Sequence, residues 1–218
     1  MTGRDTLKET TMRVADSIRC ADLSCSDVRH SCLVPSPNID PAGISILLIS
    51  EAVPADPADY YYAGAGALFA RTTLLAFQEA GAEVETVQDI LDLGVYLTTA
   101  VKCARTTSKV ERSTVEVCSH LLEREIALFP SVKVYLLMGD TAIGALNVIA
   151  KRAGCPRPVP AGSTYKIRGG EFTFRGACVM PSYVQAGPAF FVEKSKRRMI
   201  AEDIRRALDL AAGATGSR

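Results

Sequence analysis

Two stretches of this chain are almost purely aliphatic: "ISILLI" at Ile44–Ile49 and "VKVYLLM" at Val132–Met138. Neither shows the apolar–polar alternation of a strand with one wet face. Each therefore predicts a strand covered on both sides, the usual state of strands in parallel sheets sandwiched between helices. "VYLTTAV" at Val95–Val101 and "ACVM" at Ala177–Met180 read as two more core strands. Helical stretches separate them. Leu68–Ala80 closes at Gly81, and a helix opened by a Ser113/Glu116 capping box runs to Phe129 before Pro130. Thr141–Ala153 is capped by Asp140 and ends at Gly154, and Glu193–Leu210 forms a last helix. "YKIRGGEFTF" alternates about Gly169-Gly170 and predicts a hairpin. Strands alternating with helices imply right-handed crossovers. The expected fold class is α/β: three layers, α/β/α, around a central, mostly parallel four-stranded sheet.

This α/β region is expected to span residues 44–212. Before it, residues 1–43 read as an amphipathic helix over 5–19 and then an irregular Cys- and Pro-rich arm, "CADLSCSDVRHSCLVPSPNIDPAG". Residues 213–218 are expected to form a flexible tail. A length of 218 residues supports a core of this size. The formal net charge of +1 creates no global field toward nucleic acid or membrane, so any basic surface must be local. The first twenty residues lack an apolar signal core, and no run reaches the roughly 20 residues of a membrane span. The expectation is a cytoplasmic monomer without a membrane partner. In a reducing compartment, seven cysteines are buried thiols or metal ligands rather than disulfides.

In parallel sheets, ligands bind outside the carboxyl ends of the strands. Glu51, Thr99, Gly139 and the run Met180-Pro181-Ser182 stand at those ends and should converge on one crevice. An acid that stops a buried aliphatic run, as Glu51 does, occupies an ordinary active-site position. It also fits a turn cap or a partner for a lysine.

Four segments at these ends carry a resemblance. "SEAVP" with "YYAGAG" is similar to the G-E-x-P-G and P-F-x-G-x-A-G motifs of uracil-DNA glycosylases. "VYLTTAVKC", the stretch "CSHLLEREIALFPSVKVYLLMGDTAIGALN" and "MPSYV" resemble the next three family segments, in order, across about residues 44–190. The nearest pattern is that of the bacterial and archaeal iron–sulfur (family 4-like) branch. The resemblance implies an enzyme that flips a damaged base out of DNA, single- or double-stranded, and hydrolyses its N-glycosidic bond. It gives Glu51 the task of positioning water and stabilising positive charge on the sugar. It gives Tyr62, then Tyr61, the stacking face for the base, although three adjacent tyrosines also suit packing at the sheet edge. Ser182 and Tyr183 would meet the DNA backbone. Lys194, Arg197 and Arg198 of the basic run "EKSKRRMIAEDIRR" would join them, unless that run is simply a solvated helix face.

Two residues depart from the family pattern. Thr99 replaces the Asn that reads the base edge, and a hydroxyl lacks the fixed pair of donor and acceptor that an amide offers. Met180 replaces the His that donates to the leaving base, and Met cannot donate. The resemblance also implies a 4Fe–4S cluster on Cys103, Cys118 and two of Cys20, Cys25 and Cys32, though the arm lacks the family's C-x-x-C spacing and buried apolar thiols are the other reading. His30, in the arm, has no assigned role. Two functions follow: a divergent DNA glycosylase, or a catalytically weak or inactive nucleic-acid or nucleobase-binding module on the same fold. A nucleotide-binding domain of another kind is disfavoured, because no G-x-G-x-x-G or Walker A motif follows a strand.

Overall fold

The structure is a computed structural model that describes residues 11–20, 25, 27–29, 32–107 and 109–213. Residues 5–10 of the expected 5–19 helix, His30 and most of the tail lie outside the described residues, and over 11–19 the expected helix gives way to the strand Met12–Arg13 and a single helical turn, Val14–Ser17.

The main sheet has five strands: β1 (Ile46–Ala52), β2 (Val95–Val101), β3 (Val134–Met138), β4 (Phe172–Phe174) and β5 (Ala177–Ser182). Their order is β2-β1-β3-β5-β4, with parallel pairing everywhere except the β4–β5 edge. The sheet thus has one strand more than expected. The hairpin also falls later than the Gly169-Gly170 signal placed it. Thr164–Ile167 is a short helix, and the turn sits at Arg175-Gly176, where both residues have positive φ. Glycine at Gly176 suits that backbone; Arg175 adopts it at a cost.

The helices are α1 (Leu68–Glu79), α2 (Val87–Asp92), α3 (Arg112–Ile126), α4 (Asp140–Arg152) and α5 (Lys194–Ala212). The unexpected α2 carries a capping box, with Thr86 and Asp89 bonded reciprocally. The expected Ser113/Glu116 box is not formed. Glu111 occupies the cap position, Ser113 lies inside the first turn, and Glu116 takes Arg112 instead. Asp140 is the first residue of α4 rather than its cap, which is Gly139.

Side-chain alternation along the strands builds two cores. Leu47, Ile49, Tyr96, Tyr135 and Leu137 pack with α3, α4 and the described arm residues Val14, Ile18, Val28 and Ile39. Ile46, Leu48, Val95, Leu97, Leu136 and Met180 pack with α1 and α5. Helices therefore cover both faces of the sheet. The arm is also tied by short antiparallel pairs, Met12–Arg13 with Asn38–Ile39 and Val28–Arg29 with Ala104–Arg105.

Two devices hold the β2 edge. The Tyr62 hydroxyl donates to the Leu97 carbonyl at 2.9 Å and accepts from the Leu97 N–H at 3.1 Å, closing backbone groups that no sixth strand pairs. Beyond the end of β2, Lys102 is fully buried against Glu125 of α3. Its ammonium also donates to Thr98 Oγ1 at 2.6 Å and to the Thr99 carbonyl at 2.7 Å. The other Glu125 oxygen accepts from Tyr96 and Thr98, each at 2.8 Å.

Removing one partner of such a pair leaves an uncompensated buried charge, whereas removing both does not. Lys102→Met should lower stability in urea unfolding by about 3–5 kcal/mol, and Lys102→Met with Glu125→Leu should recover most of that loss.

Candidate active site at the strand carboxyl ends

Glu51, the penultimate residue of β1, lies on the same face as Leu47 and Ile49, beneath the start of α4. Its Oε1 accepts from the Thr141 N–H and hydroxyl, both at 3.3 Å. Its Oε2 lies 3.8 Å from Arg105, and the side chain is 24% exposed. Gly139 makes room for it. The φ there is +101°, and a Cβ would stand 2.7 Å from Glu51 Oε1 and 2.5 Å from Val184. The β3–α4 turn therefore requires glycine for two reasons, its backbone and the carboxylate beside it.

Glu51 separates two cavities. The larger, about 790 Å³, runs along α4 and is lined by Asp140, Thr141, Gly144, Asn147, Val148 and Lys151, opposite Arg105, Lys109, Val110, Arg112 and Val115. The smaller, about 330 Å³, is walled by Tyr183, Val184, Phe190, Lys196 and Arg197. The Lys196 ammonium sits over the Tyr183 ring at 5.4 Å, and the Arg197 guanidinium over Phe190 at 4.9 Å.

The structure brings Glu51, Tyr183 and Arg197 to these cavities. Other expected site residues lie elsewhere. Tyr61 is buried, with its hydroxyl donating to Ser50 at 2.7 Å and accepting from Gln185 at 3.0 Å. Tyr62 is tied to the sheet edge, and the rings of Tyr60, Tyr61 and Tyr62 pack on one another. Thr99 is fully buried and donates to the Val101 carbonyl at 3.0 Å. Met180 is 1% exposed, because the alternation of β5 turns it into the α1/α5 core. Ser182 is buried and donates to Asp203 at 2.6 Å; Arg168 donates to both oxygens of that carboxylate. Burial pushes the Asp203 carboxyl above its ordinary pKa, against the opposing pull of Arg168 and Ser182.

Three of the six cations of the basic run on α5 are paired with acids. Arg197 donates to Glu79 at 2.8 Å, Lys196 meets Glu193 and Arg198 faces Glu202. Lys194 is exposed. The sequence reading missed Arg105, Lys109, Arg112, Lys151 and Arg157 of the larger cavity. They come from distant parts of the chain and form no run.

Cys103 and Cys118 are buried in the α3/α4 core, with Cys20, Cys25 and Cys32 packed against the same core. Burial raises the Cys103 thiol to about 12, with Cys32, Cys20, Cys118 and Cys25 adding to the effect. Burial and Cys20 raise Cys32 to about 11. Five thiols in one neighbourhood exceed the four that a cubane cluster takes. No group of three or more His, Cys, Asp or Glu among the described residues is arranged to hold a metal ion. Cys155 lies apart in the larger cavity, and Cys178 is half-buried near Arg206.

No helix among the described residues is long and apolar enough to cross a membrane. A type-5 uracil-DNA glycosylase of Thermus thermophilus is 31% identical over 99 residues, a stretch that makes up 45% of this chain and 45% of that protein. The chain thus matches less than half the length of this relative, which is a type-5 enzyme rather than one of the family 4-like branch expected from the motifs. The pattern of the uracil DNA glycosylase superfamily matches residues 37–203, from the end of the arm through every strand of the main sheet and into α5, and the chain belongs to that superfamily.

Proposed function

We propose that the chain is a DNA glycosylase that hydrolyses the N-glycosidic bond of uracil or another damaged base in DNA. The observation that carries this reading is Glu51: a partly exposed carboxylate at the carboxyl end of the interior strand β1, standing between two cavities. As the bond breaks, positive charge develops on the sugar, and a nearby fixed anion lowers that barrier. Thr141 holds one carboxylate oxygen, and the other, 3.8 Å from Arg105, is left to orient the attacking water.

The flipped nucleoside enters the smaller cavity. Its volume suits a base with its sugar, and Tyr183 offers the stacking face that Tyr61 and Tyr62 do not present. Lys194 meets backbone phosphate nearby. Ser182, engaged with Asp203, positions the Tyr183 loop from below rather than touching DNA itself. A 4Fe–4S cluster would be held by Cys103, Cys118 and two of Cys20, Cys25 and Cys32. When bound it supplies structural support, cross-linking the arm to α3 and to the segment after β2.

One observation favours the second reading, a binding module with weak or absent chemistry. Neither cavity is lined by histidine among the described residues, and Met180 offers the leaving base no donor.

Purified protein is expected to release a base from at least one of a set of oligonucleotides carrying uracil, hypoxanthine, xanthine or alkylated bases. Glu51→Gln should slow single-turnover excision by about 10²-fold or more. Binding without excision of any base would transfer the assignment to the binding module. Met180→His should not rescue activity. It places an imidazole in an apolar layer and should cost about 1–3 kcal/mol in urea unfolding. Protein purified anaerobically from iron-replete cells should be brown with about four irons per chain, and Cys103→Ala with Cys118→Ala should bleach it. Colourless, iron-free wild type would remove the cluster from the proposal and leave the α/β fold unaffected.

A further inference from the structure

We infer that the cleft along α4 is a phosphate track that holds the DNA strand on the far side of Glu51 from the flipped base, and that Gly144 is there to let that strand approach the helix. The inference rests on the glycosylase reading and assigns it a binding surface.

Charge is the first observation. Five cations line the cleft, Arg105, Lys109, Arg112, Lys151 and Arg157, against two acids, Glu51 and Asp140. Both acids stand at the strand-end mouth, so beyond Thr141 the charged side chains are all basic. On α5, Lys196, Arg197 and Arg198 meet Glu193, Glu79 and Glu202, and in the cleft Arg105 and Arg112 meet Glu51 and Glu116. A polyanion arriving at Glu51 therefore finds Lys109, Lys151 and Arg157, which form no ion pair among the described residues, on the walls of the cleft.

Shape is the second. Thr141, Gly144, Asn147, Val148 and Lys151 recur at helical spacing and form one stripe of α4. From Thr141 to Lys151 the helix rises about 15 Å, which matches about four phosphates at roughly 3.4 Å per nucleotide along the duplex axis.

Gly144 is the third and is independent of charge. It lies in the helix interior, outside the positive-φ region, and a Cβ there would meet nothing within 4 Å. Neither backbone conformation nor internal packing asks for glycine, which weakens a helix interior relative to alanine. A molecule pressed against the helix does ask for it, and Gly144 lines the cleft, one helical turn from Thr141.

The test is the salt dependence of binding to a labelled, undamaged oligonucleotide, single-stranded and duplex, measured by fluorescence anisotropy beside uracil excision on a matched substrate. Lys109→Ala with Lys151→Ala should flatten the log–log salt slope by about 1.4–1.8 and weaken low-salt binding at least tenfold. Arg124→Ala, an exposed cation on α3 outside the cleft, should leave the slope unchanged. Gly144→Ala should raise Tm by about 2 °C yet weaken binding, and Gly144→Leu should weaken it further. The phosphate track is overturned if the lysine pair leaves the slope intact while Lys194→Ala with Arg198→Ala flattens it, or if both Gly144 variants bind as wild type does. Excision that persists in those cases keeps the glycosylase reading. Wild type that neither binds nor cuts DNA removes both.

Discussion

Strand β1 is an interior strand of the sheet, paired in parallel with β2 on one side and β3 on the other. Because both neighbours and both faces are taken, its register admits no slip: a shift of one residue would exchange the side chains between the two cores. That constraint propagates to the end of the strand. Ser50 follows Ile46 and Leu48 to the α1/α5 side, where it joins Tyr61 and Gln185. Glu51 follows Leu47 and Ile49 to the other side, where the start of α4 receives it. Two adjacent polar residues thus serve opposite faces of the sheet, one in fixing the core and the other in forming the cleft.

The strand ends are polar but mostly dry, and networks of hydrogen bonds keep them so. Ser50, Tyr61 and Gln185 form a closed set; Lys102 and Glu125 gather Tyr96, Thr98 and the Thr99 carbonyl; Ser182 and Arg168 share Asp203. Each ties a segment at a strand end to a neighbouring helix or loop. Buried polar groups are tolerated when all partners are present, and in return they specify one arrangement. The same networks account for residues whose motif positions suggest contact with DNA but whose side chains face inward. Their work is to hold the rim on which Glu51 and Tyr183 are presented.

The electrostatic design of the rim follows from pairing rather than from the amount of charge. The α5 run has the densest sequence of cations in the chain, yet acids on α5 itself, at its start and on α1 answer three of its six. In the α4 cleft Glu51 and Glu116 answer Arg105 and Arg112, and Lys109, Lys151 and Arg157 form no ion pair among the described residues. Exposed ion pairs add little stability, but they remove a surface from the field a polyanion feels.

The elements and their class were legible in the amino-acid sequence because they depend on local pattern. Aliphatic runs marked β1 and β3, helical spacing marked α1, α3, α4 and α5, and a strand-end acid marked Glu51. Motif order pointed to the superfamily for the same reason: motifs are local. Misplaced features were those where two local signals competed. Gly169-Gly170 outbid Arg175-Gly176 as the turn, and the Ser113/Glu116 pair masked Glu111 as the cap. What only the tertiary structure decided was which side chains face which space. Whether Tyr62 stacks on a ligand or closes a sheet edge depends on Leu97, thirty-five residues away. Whether Arg197 is free depends on Glu79, and whether Lys109 and Lys151 share a cleft depends on how α3 packs on α4. Periodicity sets the face a residue takes on its own strand or helix, but only packing brings the opposite wall, and with it the partner that buries, pairs or exposes that residue.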